Sequence, residues 1–122
     1  MPDSRSPAKA LLLVSDETNR QLLSEWLASD DDVQVTTEKV SSFDICLLDE
    51  AALRREEDWL RSHKQTVEPE FLPYLLFTSN PEGERSVIDT SAGALIDEVI
   101  QTPIRKRLLS LRLGMLLRAR RL

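Results

Sequence analysis

Asp49 stands between the apolar run Ile45-Cys46-Leu47-Leu48 and a stretch with the composition of a helix. Four apolar residues before a turn signal predict a short strand that is buried on both faces. In open α/β sheets, ligands collect beyond the carboxyl ends of such strands, so a carboxylate at this position is a candidate for chemistry. A simpler interpretation is that Asp49 only caps the next helix by accepting a backbone N–H bond. The sequence leaves both roles open.

Polar side chains also follow two other apolar runs. The acidic pair Asp16-Glu17 comes at the end of the run at residues 8–15, and Thr78 ends the run at residues 74–78. Because the carboxyl ends of parallel strands lie along one edge of a sheet, we expect these side chains to meet Asp49 there. The sequence therefore predicts one polar site at this edge.

Strands and helices alternate along most of the chain. After the first strand, apolar residues recur at helical spacing at Leu22, Leu23, Trp26 and Leu27. The remaining patterns predict an edge strand at 33–37, a strand at 44–48, a helix at 51–63, a loop at 64–70, a final strand at 98–101 and a long helix that starts at Thr102-Pro103. This order predicts an α/β domain with a doubly wound, five-stranded parallel sheet and helices on both faces.

Two connections depart from regular alternation. Only residues 38–43 separate the second predicted strand from the third, and parallel neighbours normally need a longer, helical crossover. Either an extended crossover replaces the second helix of the fold, or the second strand pairs in some other way. Turn residues at 80–84 and the short stretch at 85–93 leave room for only a short helix or an irregular loop.

Composition indicates an ordinary globular domain. The chain has 122 residues, 41% of them hydrophobic, which is enough for one core at residues 8–122 behind a flexible leader at 1–7. The single Cys46 lies in an apolar strand, so we expect a small buried hydrophobe and an intracellular protein. Neither a signal peptide nor a membrane-spanning stretch is evident, so a cytoplasmic location without membrane contact is expected.

The last twenty residues hold seven cations and no acid, although the net charge of the chain is −5. Cations near a helix C-terminus complement its dipole, and the acidic remainder of the chain would repel phosphates, so nucleic-acid binding is not expected. Apolar residues cover more than one face of this helix. We predict Ile104, Leu108, Leu111 and Met115 as core positions, and a second face of Leu109, Leu113 and Leu116 that either forms a homodimer or continues as a connector to another domain.

These residues together resemble the receiver domain of two-component response regulators over roughly residues 8–121. The resemblance implies a flavodoxin-like fold in which Asp49 is the phosphoacceptor, Asp16 is a metal ligand and Thr78 is the switch hydroxyl. Ser15 stands where the family has its first acid, and Thr102 stands where the family has a Lys before Pro103. A Thr offers phosphoryl oxygens only a neutral hydrogen bond, so the site is atypical.

The resemblance implies phosphoryl transfer from a histidine kinase to Asp49. It also implies Mg²⁺, which we expect to bind weakly through Asp16 and Asp49. Two further candidate ligands are the backbone carbonyl near Ala51 and the side chain of Glu17. The phosphoryl group would then recruit Thr78 and move the following loop. The alternative is a pseudo-receiver, in which these residues only satisfy backbone groups and the domain acts by protein contacts without phosphorylation.

A narrower resemblance is to the receiver-like domains at the start of haloarchaeal sensor histidine kinases, where sensory or kinase modules follow. It rests on residues 43–49, the short loop to residues 71–73, and residues 96–105. Other classes find less support. The chain lacks a glycine-rich phosphate loop and Cys/His metal spacing, and we expect the lone His63 to be solvated or to complement a helix dipole, so a separate enzymatic activity is not predicted. The acidic turn at 15–18 argues against nucleotide binding.

Overall fold

A computed structural model describes residues 7–79 and 90–121 of the chain. The elements, in chain order, are β1 (Ala8–Leu13), α1 (Glu17–Ala28), β2 (Val33–Thr36), β3 (Ile45–Asp49), α2 (Glu50–Val67), β4 (Tyr74–Thr78), a 3₁₀ helix (Ser91–Leu95), β5 (Glu98–Gln101) and α3 (Lys106–Arg121). The strands form one parallel sheet with the order β2-β1-β3-β4-β5. The flavodoxin-like, five-stranded sheet is confirmed, and β2 lies at an edge as predicted.

The sheet is buried on both faces, which explains the continuous apolar runs of its inner strands. Side chains alternate along each strand, so β1 sends Ala10 and Leu12 to one face, and Leu11 and Leu13 to the other. The first face packs against α1 and α3, and the second packs against α2 and the 3₁₀ helix. Cys46 lies fully buried on the second face, where burial raises the pKa of its thiol. It is the inert hydrophobe that the sequence indicated.

Residues 37–44 connect β2 to β3 without a helix, as one of the two sequence interpretations required. Aromatic rings from this connection and from α2 cover the adjacent part of the sheet. The Phe43 ring stacks on His63 with centroids 4.5 Å apart, and Trp59 lies 5.2 Å from His63. His63 is therefore half-buried rather than solvated, while the other expectation, that it complements a helix dipole, stays a prediction. Burial lowers the pKa of His63, and its Nε2 is enclosed without a hydrogen-bond partner among the described residues.

Helix α2 is longer than its sequence pattern indicated. We expected a loop from Lys64, but the helix continues to Val67, with non-helical dihedral angles only at Glu56. Lys64 Nζ donates to the carboxylate of Asp97 at 2.6 Å and to the carbonyl of Leu95 at 2.7 Å. These partners lie about thirty residues away along the chain, so a local pattern could not reveal that they extend the helix.

The last helix begins later than predicted. Thr102 and Pro103, joined by a cis peptide bond, do not open α3, because the Thr102 N–H donates to the carbonyl of Thr78 at 2.9 Å and continues the sheet. Helix α3 starts at Lys106. Most of the predicted short helix at 85–93 lies outside the described residues, and Ser91–Leu95 forms a 3₁₀ turn.

The two faces of α3 are the reverse of the prediction. Leu109 and Leu113 are buried against the sheet, whereas Leu108, Leu111 and Met115 are 36%, 61% and 53% exposed. Ile104 is buried as expected, but it precedes the helix, so its burial does not fix which face of the helix turns inward. Within the described ranges, none of the helices combines the length and the apolar character needed to cross a bilayer.

Candidate functional site

Asp49 joins the first turn of α2 to the loop after β1. Its Oδ1 accepts from the Ala52 N–H at 2.9 Å, which is the N-cap contact of α2. Its Oδ2 accepts from the N–H groups of Ser15 and Asp16 at 2.8 and 3.1 Å. The capping interpretation is therefore confirmed as a contact, and the carboxylate has a second role in holding the β1–α1 loop. Three backbone donors now face the two oxygens of this half-buried group.

The other acids of the predicted site are less engaged with Asp49. The Asp16 side chain caps its own helix, because its Oδ2 accepts from the Asn19 N–H at 2.9 Å. Glu17 lies exposed in the first turn of α1, and Ala51 lies exposed in the first turn of α2. The structure thus brings the backbone of Asp16 to Asp49, but it turns the Asp16 carboxylate toward helix capping.

Thr78 ends β4 one residue beyond Phe77, the parallel-sheet partner of Asp49. Its side chain is almost completely buried, at 2% exposure. The Thr78 hydroxyl donates a hydrogen bond to Oε1 of Glu50, the residue that follows Asp49. Thr102, at the position where the resemblance calls for a Lys, bonds to the Thr78 carbonyl through its backbone.

Arg55 brings a cation to the same edge of the sheet. Its Nη1 donates to Oγ of Ser15 at 2.8 Å, and its Nε lies 3.5 Å from Glu56. From the sequence we expected residues 54–58 to be solvated. The Arg55 side chain is 55% exposed, but it still spans from α2 to the loop that also contacts Asp49.

Sequence reasoning did not single out Glu50 and Arg55 as site residues. A weak signal for Glu50 existed, since an acid directly after a strand-end Asp starts its helix at the same edge of the sheet. The signal for Arg55 was the absence of an acid at Ser15, which leaves the neighbourhood open to a cation. Neither signal identifies the contact, because both partners are distant in sequence.

The donor set fits a divalent metal ion poorly. Within residues 7–79 and 90–121, no group of three or more His, Cys, Asp or Glu side chains is arranged to hold one. A metal ion at Asp49 and Asp16 would have to share these carboxylates with the amide hydrogen bonds that they already accept. The Arg55 guanidinium at Ser15 adds a like charge nearby. The arrangement supplies Asp49 with hydrogen-bond donors in place of a preformed metal site.

Comparison with solved structures shows which fold this is. The receiver domain of a sensor histidine kinase from Pseudomonas aeruginosa, with a magnesium ion in its active-site cleft, superposes with a TM-score of 0.68 at 17% identity, over 92% of this chain and 98% of that one. The chain has a receiver-domain fold. The receiver domain of HemR from Leptospira biflexa matches with a TM-score of 0.62 at 21% identity, over 92% and 94% of the two chains.

The receiver fold also occurs as part of longer proteins. NtrX from Brucella abortus matches with a TM-score of 0.71 at 18% identity, and the match covers 95% of this chain but 28% of NtrX. No family model matches the sequence, and a search of curated proteins found no relative. The likeness therefore concerns the fold, and the roles of individual residues must be argued from this chain.

Proposed function

We propose that this chain is a receiver-like signalling domain in which Asp49 accepts a phosphoryl group and Thr78 responds to it. The observation that carries the proposal is the placement of a carboxylate and a buried hydroxyl at the carboxyl ends of the adjacent strands β3 and β4. The solved receiver domains of the same fold support it. The proposed partner is a histidine kinase.

The proposed transfer needs positioning and charge neutralisation more than acid–base chemistry. An Asp49 oxygen attacks the phosphorus of a phosphohistidine, the new O–P bond forms as the N–P bond breaks, and the imidazole keeps the electron pair and takes up a proton. The N–H groups of Ser15 and Asp16 hold the carboxylate in place. Arg55, bonded to Ser15, is a nearby cation that this chain supplies.

In this proposal, Mg²⁺ binds only weakly to the site. A metal ion at Asp16 or Asp49 would share carboxylates that already accept amide hydrogen bonds, which reduces what they can offer it. The transfer described above uses only residues of this chain.

The test is phosphoryl transfer from a small phosphodonor such as acetyl phosphate, and from a competent histidine kinase, followed by intact-protein mass spectrometry with and without Mg²⁺. We expect one added phosphoryl group on the parent chain and none on Asp49→Asn. Asn retains an acceptor for the Ala52 N–H, so the loss is not caused by an uncapped helix. Asp58→Asn, at an exposed position of α2, is the matched control and should be labelled like the parent. A parent chain that stays unlabelled under all conditions contradicts the proposal.

The wider setting follows from the same proposal. A receiver-like domain passes its signal by contact, and we propose a cytoplasmic domain that works with sensory or kinase modules, as the resemblance to haloarchaeal sensor kinases implies. A homodimer through α3 is also proposed. The exposed apolar side chains of that helix are Leu108, Leu111 and Met115, so the dimer face must differ from the one that the sequence indicated.

A second candidate function is a pseudo-receiver that binds its partner without phosphorylation. The observation that favours it is the contact between Glu50 and the Thr78 hydroxyl. The Glu50 carboxylate already accepts the hydrogen bond that the Thr78 hydroxyl would have to donate to a phosphoryl group on Asp49. In this case, Asp49→Asn leaves partner binding intact.

A further inference from the structure

The Thr78 hydroxyl is a buried donor whose acceptor comes from the neighbouring strand–helix junction. Thr78 is 2% exposed, and a buried hydroxyl without a partner carries a desolvation penalty of about 1–3 kcal/mol. Glu50 accepts the hydrogen bond that this hydroxyl donates. Because the acceptor is a carboxylate, the bond is charge-assisted and stronger than one between neutral groups.

Three features hold Glu50 in this position. It is the first residue of α2, where the helix dipole stabilises a negative charge. Its Oε2 lies 3.8 Å from Nη2 of Arg54, one turn further along the helix. The preceding residue, Asp49, is fixed by its amide hydrogen bonds. The Glu50 side chain is 21% exposed, so it lies mostly within the site.

Helix α2 therefore places charges of both signs at this edge of the sheet. Glu50 reaches the end of β4 at Thr78, and Arg55 reaches the loop after β1 at Ser15. A receiver domain without these two side chains would leave both positions open to ions from solution. Here both positions are occupied by side chains of the same helix.

We propose that Glu50 is a built-in ligand of the Thr78 hydroxyl, which holds the end of β4 in its bonded conformation without phosphorylation and must leave before a phosphoryl group on Asp49 can bind Thr78. The second half of this inference rests on the proposed function. Phosphorylation replaces the single negative charge of the Asp49 carboxylate with about two on the phosphoryl group, and it brings strong acceptor oxygens next to the Glu50 carboxylate. Like charges that compete for the same hydroxyl in a partly desolvated site repel each other, so the two anions exclude each other.

The contact itself is tested by a double-mutant cycle of Glu50→Ala and Thr78→Val, measured by urea denaturation of the full chain. Val has nearly the shape of Thr and suits a strand, so the variants should fold. We expect the effect of Thr78→Val on the unfolding equilibrium constant to be about tenfold smaller in the Glu50→Ala background than in the parent. The matched pair Asp58→Ala and Thr78→Val should give additive effects. Additive effects in the Glu50 cycle would overturn the inference.

The competition is tested by labelling with acetyl phosphate, with phosphoryl incorporation followed over time by mass spectrometry. Removing the competing carboxylate should raise the labelled fraction of Glu50→Ala several-fold above the parent, while Asp58→Ala matches the parent. Equal labelling of parent and Glu50→Ala would overturn the competition. If the cycle shows coupling and neither chain is labelled, the built-in ligand stands and the proposed phosphoryl transfer fails.

Discussion

Individual residues at the site each serve a structural purpose before any chemistry takes place. Asp49 caps α2 and holds the loop after β1, Asp16 caps α1, and Glu50 satisfies a buried hydroxyl. A substitution at any of them therefore changes stability as well as reactivity. Labelling experiments on such variants must be read together with their unfolding free energies.

His63 is the residue whose titration should be visible in the stability of the fold. Its pKa is lowered by burial between Phe43 and Trp59, so the folded chain binds a proton less readily than the unfolded chain. The stabilisation that results is complete above the ordinary histidine pKa of about 6.5 and is lost as the pH falls below it. We expect the urea midpoint to decrease between neutral pH and mildly acidic pH.

The control is His63→Phe, which keeps a ring in the stack and removes the titrating group. Its midpoint should change less with pH over the same range. The Lys39–Glu56 ion pair, 2.9 Å long and near Trp59, is retained in this variant, and it keeps the pKa of Glu56 below its usual value. The loss of that ion pair therefore lowers the urea midpoint only at a pH below the range in which His63 titrates, and it does so in both the parent and the variant. Identical pH profiles of parent and variant above that range would contradict the assignment.

At the scale of elements, α3 has one face that packs on the core and one apolar face that is exposed. Leu109 and Leu113 pack on the sheet, while Leu108, Leu111 and Met115 form an exposed apolar stripe at helical spacing. Exposed apolar stripes of this kind mark interaction sites in soluble domains. Arg112 beside the stripe pairs with Glu98 of β5 at 3.6 Å, which makes the edge of the stripe polar.

We expect Leu111→Glu to weaken self-association without unfolding the chain, because its side chain is 61% exposed. Leu109→Glu should instead lower the unfolding free energy by several kcal/mol, about 2–5 or more, since it places a charge in the core. Sedimentation velocity and urea denaturation distinguish these two effects. A parent chain that sediments as a monomer at high concentration would contradict the homodimer.

At the scale of the whole molecule, Arg120 ties the end of α3 to the start of the sheet. Its guanidinium donates to Asp44 at 3.2 Å and to the carbonyl of Phe71 at 2.7 Å, and it lies 3.7 Å from Glu70. These partners precede β3 and β4. The contact lies at the end of the strands opposite Asp49, so it stabilises the fold without entering the site.

Arg120→Ala should lower the unfolding free energy by about 1–3 kcal/mol, because the carbonyl and the carboxylates lose a charged donor that is largely shielded from water. Arg121→Ala, an exposed neighbour on the same helix, should have an effect within about 0.5 kcal/mol. Urea denaturation measures both values. Phosphoryl labelling of Arg120→Ala should match that of the parent, and a large change would show that this contact reaches the site.

The sequence predicted the parts of the molecule that local patterns determine. Apolar runs located four of the strands, an alternating β-branched stretch located β2, and the short connection after β2 indicated the missing helix. Distant contacts decided the rest. Lys64 extends α2 through partners near β5, and the inward face of α3 depends on how the helix docks after Ile104.

The candidate site, like the fold, could be predicted only where local sequence patterns determine it. Strand ends placed Asp49, Asp16 and Thr78 at one edge, because the topology of a parallel sheet requires it. The side-chain partners that define their state could not be read from spacing. Glu50 and Arg55 reach across to other elements, and such contacts appear only in three dimensions.

The helix-free connection at residues 37–44 is a corner that we expect to open more easily than the helices and strands of the described chain. Its side chains are mostly exposed, and Val40 and Phe43 are the ones that pack on the core. In such segments, amide hydrogens exchange and proteases cut through local opening reactions. The free energy of these openings is well below that of global unfolding. Opening here lifts Phe43 from His63 and lets water reach the imidazole, so acid should loosen this corner first while the edge that carries Asp49 keeps its structure.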